Sequence, residues 1–405
     1  MHARINILFI LASLSFTPSS LLAESFSDYM KQQQDKSGQE FLQYKSATDD
    51  EFETYKKQLQ DAFKLYKQSV AKVWGKNQTT LPTSLQDVSY RDKLNQRSII
   101  DYKSGEITVD IILSPDETTN TKRVQDKMKQ ALKTTLNRGS DTRSIIDIAK
   151  KPAVATNNGP ALLSQLVQDT NGKPLNPANN KHFIEQQSQK ISLISTRGTD
   201  NRPRIIASTS FPMIPAHLEV RARKYLAPVK KYSNNMKLPP ELVFAIMETE
   251  SAFNPNARSS VPAFGLMQLV PTSGARDAYR LLYNQDKVVS DRYLYNPDNN
   301  IKMGTAFIHK LYYSYLSEII HPEARTWAAI AGYNTGAGNV LITFAGKYRR
   351  SKFGNRSNWK KHAFSIINSK TPEQVYRYLQ QNLPHKETQH YIKNIRTRID
   401  KYKAL

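Results

Sequence analysis

The apolar pattern changes its period at Pro212, and this change limits the possible folds more than any other feature of the chain. Before it, apolar residues come in short alternating runs. In "RSIIDYKSGEITVDIIL" the residues Ile107, Val109 and Ile111 share one face after a Lys103-Ser104-Gly105 turn, the pattern of a hairpin. "KISLIST" and "RIIASTSFPM" are further strand candidates, and "ALLSQLVQDTNGKPL" offers a strand leading into an Asn171-Gly172 turn. After Pro212 and Pro215, spacings of three and four run to the end. The pattern predicts an α+β domain with an antiparallel sheet over residues 24–210, then a mostly helical unit over 211–405. With 405 residues, 39% of them hydrophobic, the chain can build two cores.

Two helices are expected inside the first unit. Phe52, Tyr55, Leu59, Phe63, Tyr66, Val70 and Val73 form an amphipathic stripe, with Asp49 and Asp50 at its start and Gly75 at its end. "TKRVQDKMKQALKTTLNRG" reads as a second helix closed by Gly139. Ahead of both, Arg4 precedes an apolar run from Ile5 to Phe16, then a polar stretch ending at Ala23. Residues 1–23 therefore read as a cleaved secretory leader, too short for a spanning helix.

The net charge of +23 calls for an anionic partner or milieu, and export argues against nucleic acid as that partner. The absence of cysteine excludes disulfides, thiol nucleophiles and attachment through a lipidated cysteine. The eight histidines form no His-Glu-x-x-His pattern, so no metal site is expected.

The helix expected over "PPELVFAIMETESAFNP" poses the sharpest chemical question. Pro240 suits a first turn and Pro255 a stop. At about 100° per residue, Leu242, Ile246, Glu250 and Phe253 fall on one face. Glu248 falls on the other and reads as a solvated surface charge. Glu250 stands in the packed stripe, so it must be paired, kept neutral or exposed at a cleft over the helix end. The residues alone leave open a salt-bridged core-edge glutamate and a functional acid.

Four stretches then follow in order: "ESAFNP" at 250–255, "GLMQLVP" at 265–271, "AGYNTGAGNV" at 331–340 and "ETQHYIKNI" at 387–395. Together they resemble the goose-type lysozyme-like lytic transglycosylases of bacterial cell walls. Upstream, "VWGKN", "RSIIDYKSGEITVDI" and "SFPMIPAHLEVRARKYLAPVKKYS" are similar to the N-terminal domain and junction of the membrane-bound C-type members. The resemblance implies an α+β domain followed by a lysozyme-like catalytic domain, with Glu250 as catalytic acid. It implies substrate contacts at Ser259, Gln268, Val270, Tyr333 and Asn334, with Glu387 and Tyr391 closing the cleft.

The implied activity is that of a peptidoglycan lytic exotransglycosylase, which cuts the MurNAc-GlcNAc bond without water and leaves 1,6-anhydromuramyl ends. A hydrolytic muramidase or a non-catalytic peptidoglycan-binding protein on the same scaffold are the alternatives. The implied partner is the glycan strand, with no cofactor and no nucleic acid. The implied location is the periplasm, with peripheral association at the outer membrane or in an envelope complex. Two features depart from the C-type pattern: there is no lipobox cysteine, and "GKYRRSKFGNRSNWKK" at 346–361 is a basic insertion with seven basic and no acidic residues.

Overall fold

The computed structural model describes residues 53–153, 159–259, 262–346 and 356–405. The leader expected at 1–23, the start of the first helix at Asp49 and Asp50, and residues 347–355 of the basic run lie outside them.

Helix α1, residues 53–74, buries Leu59, Tyr66, Val70 and Trp74, and Gly75 ends it as expected. Five strands follow: β1 (Gln86–Arg91), β2 (Gln96–Asp101), β3 (Glu106–Leu113), β4 (Ser192–Arg197) and β5 (Pro203–Pro212). They make one antiparallel sheet in the order β1-β2-β3-β5-β4. Ile107, Val109 and Ile111 stand opposite Phe211, Thr209 and Ala207. This face packs on Met128, Ala131 and Leu132 of α2 (Thr121–Leu136). α2 is capped at its C-terminus by Asn137, two residues before Gly139.

The β2–β3 turn is set by its sequence. The Asp101 carboxylate accepts from the backbone N–H of Lys103 and Ser104 at 2.9 and 2.8 Å. Gly105 takes φ 77, and a Cβ there would sit 2.9 Å from the His217 ring. Glycine is thus required both by conformation and by close approach.

The strand expected in "ALLSQLVQDTNGKPL" does not form. Only an isolated bridge, Gln168 to Pro174, flanks the Asn171-Gly172 turn. Leu163, Leu166 and Val167 lie too close together for alternation; they fold as a turn and plug the sheet's core. Two short helices, α3 (Ile145–Lys150) and α4 (Lys181–Gln187), complete this half.

The remainder is helical, as the spacing predicts: α5 (His217–Lys224), α6 (Leu226–Asn235), α7 (Pro240–Ser251), α8 (Gly274–Tyr283), α9 (Asp291–Leu294), α10 (Pro297–Lys310), α11 (Pro322–Thr335), α12 (Ala337–Ala345), α13 (Arg356–Asn368), α14 (Pro372–Asn382) and α15 (Lys386–Tyr402). Residues 58–405 pack as one unit.

Helix α7 is the axis of this half. Pro240 opens it, and every residue from Leu242 to Glu248 is buried. One correction follows for Glu248, which is 8% exposed rather than a solvated charge. α15 packs on that side, and Glu248 accepts from Arg398 Nε at 2.9 Å, from Lys401 Nζ at 2.8 Å and from the Tyr402 hydroxyl. Burial alone would raise its pKa, but these three donors outweigh burial and hold it below the usual value.

Candidate active site

Glu250 sits one residue before the end of α7, where the backbone turns sharply. Ala252 and Phe253 take φ 47 and 60, left-handed values that cost L-residues about 1–2 kcal/mol each. The turn is held by bonds on both sides: Ala252 N–H donates to Glu248 at 3.0 Å, and the Ser251 hydroxyl donates to the Leu266 carbonyl at 2.7 Å. Such strain persists only where the surroundings enforce it, and here it bends the chain away directly below the carboxyl.

The loop beyond is clamped by the sheet half. Asp87 of β1 is paired with Arg138 at 3.1 Å and accepts from Asn256 Nδ2 at 2.9 Å, all three nearly free of solvent. Asn254 Nδ2 reaches the Ser84 carbonyl at 3.2 Å, and Arg258 donates to the Asp141 carbonyl at 2.9 Å. The α+β half therefore fixes the segment that follows the acid.

Gly265-Leu266-Met267-Gln268 forms the next wall. Phe264 and Leu269 pair across it with two backbone bonds of 3.1 Å, which leaves four residues for a tight turn. Gly265 has φ 76, and a Cβ there would collide with Asn300 Nδ2 at 2.3 Å. Asn300, fully buried on α10, accepts from Met267 N–H at 2.8 Å and donates to the carbonyls of Phe264 and Leu294 at 2.9 and 2.8 Å. Its side chain ties the turn to the helix bundle.

These elements enclose a cleft of about 550 Å³. It is lined by Glu250, Ser259, Gln268, Val270, Tyr333, Asn334 and Glu387, seven of the eight residues singled out from the sequence. The eighth, Tyr391, is buried on α15; its hydroxyl makes no hydrogen bond of ordinary geometry among the described residues but acts on the Glu250 carboxyl electrostatically. Tyr333 donates to the Met267 carbonyl at 2.8 Å, and the Asn334 side-chain carbonyl accepts from the Thr388 hydroxyl at 2.7 Å. A side pocket of about 280 Å³ between Phe307, Gly274 and Gly336 shares Gln268, Tyr333 and Asn334 with the cleft. Sequence reasoning missed Ser84, Ala263, Thr335, His385 and Thr388 as lining residues. Thr388 could have been found as the neighbour of Glu387 on the cleft-facing turn; Ser84 carries no local signal.

Burial pushes the Glu250 carboxyl up to about 8; the Tyr391 hydroxyl opposes this and the Glu387 charge adds to it. Burial also raises Tyr333 and Tyr391 well above the ordinary range. Both phenols therefore stay protonated, and at neutral pH Glu250 holds a proton at the floor of an open cleft.

A helical domain whose cleft holds a buried carboxyl among amides, hydroxyls and aromatic rings has the architecture of a lysozyme-like fold. Residues 227–355 match the transglycosylase SLT domain, and residues 52–224 match the N-terminal domain of membrane-bound lytic murein transglycosylase C. The membrane-bound lytic murein transglycosylase C of Sodalis glossinidius is 34% identical over 325 residues, 80% of this chain and 84% of that one. Its counterpart in Klebsiella pneumoniae subsp. pneumoniae is 33% identical over 337 residues, 83% and 86% of the two chains. The chain belongs to the membrane-bound lytic murein transglycosylase C family.

Proposed function

We propose that this protein is a peptidoglycan lytic transglycosylase in which Glu250 serves as acid and then as base. The observation that carries the reading is a carboxyl raised to about 8 at the floor of a glycan-sized cleft. A proton held at neutral pH can be given to the glycosidic oxygen between N-acetylmuramic acid and N-acetylglucosamine, which breaks the C1–O bond. The carboxylate that remains takes the proton of the muramyl 6-hydroxyl as that oxygen closes onto C1. The product is a 1,6-anhydromuramyl end, and Glu250 regains its proton. The tethered hydroxyl reacts as if at a concentration water cannot match.

Most glycosidases place two carboxylates about the bond. Here the second carboxylate lining the cleft, Glu387, is exposed on the first turn of α15, where it acts on Glu250 by its charge. Cyclisation needs only one acid, provided the substrate's own N-acetyl group shields the cationic centre. Asn334, oriented by Thr388, and Gln268 offer amides to the sugar, while Tyr391 steadies Glu250 once it is charged.

The glycan strand is the partner in this reading, and the periplasmic face of the envelope is the place of action. No described helix is long and apolar enough to cross a membrane. Mass spectrometry of soluble products from peptidoglycan sacculi tests the proposal. Anhydromuramyl ends that disappear in Glu250→Gln are expected; reducing muramyl ends would make the protein a hydrolase.

A further inference from the structure

A second hollow, mostly apolar with a few buried polar groups, is lined in part by Phe253 of the strained turn that ends α7. It has a volume of about 200 Å³ and is bounded by Arg221, Tyr102, Lys224, Tyr225, Leu162 and Phe253, among others. Arg221 is 3% exposed. Its Nε and Nη2 are engaged, donating to the His217 carbonyl at 3.0 Å and to the Tyr102 carbonyl at 2.6 Å, with Nη2 also 2.8 Å from His217 Nδ1. Nη1 is buried and finds no hydrogen-bond partner among the described residues. The Tyr102 hydroxyl, on a side chain 1% exposed, is in the same position.

The charge is unbalanced as well as the hydrogen bonding. Among the described residues Arg221 makes no ion pair; its guanidinium lies 4.8 Å over the Tyr102 ring, and the carboxylate that acts on it, Glu248, is already held by Arg398, Lys401 and Tyr402. Burial lowers Arg221 to about 10, and burial together with Arg221 lowers Lys224 at the rim. A buried arginine with an open donor, a second cation beside it and no carboxylate in place is costly unless an anion completes it. The contrast is with the larger hollow of about 700 Å³ on the sheet, where Lys127 is paired with Glu117 and Arg204 with Asp200.

We propose that the hollow beside Arg221 binds the terminal carboxylate of a short peptide with small apolar side chains. The guanidinium Nη1, the Tyr102 hydroxyl and the Lys224 ammonium supply donors and charge to the two carboxylate oxygens. Leu162, Phe253, Pro255 and Pro297 supply an apolar wall that suits methyl groups and would be wasted on inorganic phosphate. At about 200 Å³ the hollow falls below the roughly 300–1,000 Å³ of sites for drug-sized molecules, so its occupant is small. This inference stands apart from the role of Glu250, because none of its polar groups lines the cleft.

The test is calorimetric titration of the full chain with N-acetyl-alanyl-alanine in its L,L and D,D forms, beside the C-terminal amides and inorganic phosphate. Saturable binding of either acid is expected, weakened at least about tenfold, or 1.4 kcal/mol, by amidation. Ala161→Phe should fill the hollow and abolish binding without lowering the melting temperature. Lys224→Gln should weaken binding, and Arg221→Gln should remove it. Binding that survives Ala161→Phe but is lost in Glu250→Gln would place the peptide in the cleft and overturn the proposal. Phosphate binding as tightly as the peptides would overturn the assigned ligand class. No saturable binding would show that the hollow holds water only, and would also overturn it.

Discussion

Replacing Glu250 by glutamine should stabilise the fold, and by an amount that depends on pH in a way no other single change reproduces. The folded carboxyl titrates at about 8 against an ordinary value of 4.5. Below pH 4.5 both the folded and unfolded chains hold the proton, so the group exerts no penalty. Between 4.5 and 8 the folded protein keeps a proton that the unfolded chain releases. Stability is therefore lost with rising pH, at up to about 1.4 kcal/mol per pH unit. Above 8 the loss is complete and constant. Glutamine has nearly the same shape and no proton to lose. Its advantage over glutamate should be near zero at pH 4, about 3–3.5 kcal/mol at pH 7 and about 4–5 kcal/mol above pH 8.

The assay is urea unfolding of both proteins at pH 4, 5.5, 7 and 8.5, read by tryptophan fluorescence and analysed at constant m. A difference that grows with pH in this window would show that the acid is kept neutral at the cost of stability. A difference that is flat across pH would refute it, because a carboxyl titrating normally in the fold contributes no such slope. A glutamine variant less stable than wild type at pH 8.5 would refute it more strongly.

Three further outcomes follow from the same geometry. The rate of anhydromuramyl release should fall above about pH 8; Tyr391→Phe should move that limb up, because its hydroxyl opposes the rise at Glu250, while Glu387→Gln should move it down, both read from initial rates on sacculi. Asn300→Ala should remove the bonds that tie Met267 N–H, the Phe264 carbonyl and the Leu294 carbonyl to α10 and cost about 2–4 kcal/mol in urea unfolding, with buried groups left unpaired. Asp87→Ala should strand Arg138 and Asn256, cost about 3–5 kcal/mol and lower kcat through the 254–258 segment, although residue 87 lies in the other half of the chain.

What could be read from the chain in advance was whatever depends on local pattern. The period change at Pro212 separates the sheet from the helices because side-chain direction repeats every two residues in one and every 3.6 in the other. Glu250 stood out because a carboxyl in an apolar stripe needs a reason. The same argument misjudged Glu248, since it assumed that one face of α7 meets water. α15 lies about 150 residues downstream and brings Arg398 and Lys401 onto that face. No window around position 248 contains this information. The leucines at 163 and 166 misled in a related way: their burial was legible, but a packed turn and a packed strand look alike when the apolar run is short.

The contribution of Ser84 to the cleft shows where sequence reading ends and why that matters for function. A catalytic domain read alone would place its acid, its Gly-Leu-Met-Gln turn and its Tyr333-Asn334 pair, and would treat residues before 211 as a separate accessory. In the fold, the segment just beyond Glu250 reaches back to Ser84, Asp87, Asp141 and Arg143 through Asn254, Asn256 and Arg258. Those contacts oppose the left-handed strain at Ala252 and Phe253, which would otherwise be relieved by letting the turn relax. Relaxation would lift the carboxyl toward solvent and lower its pKa, because burial is the largest cause of the shift. The α+β half is thus part of what keeps the acid protonated, and a helical half expressed alone should show an alkaline limb well below pH 8.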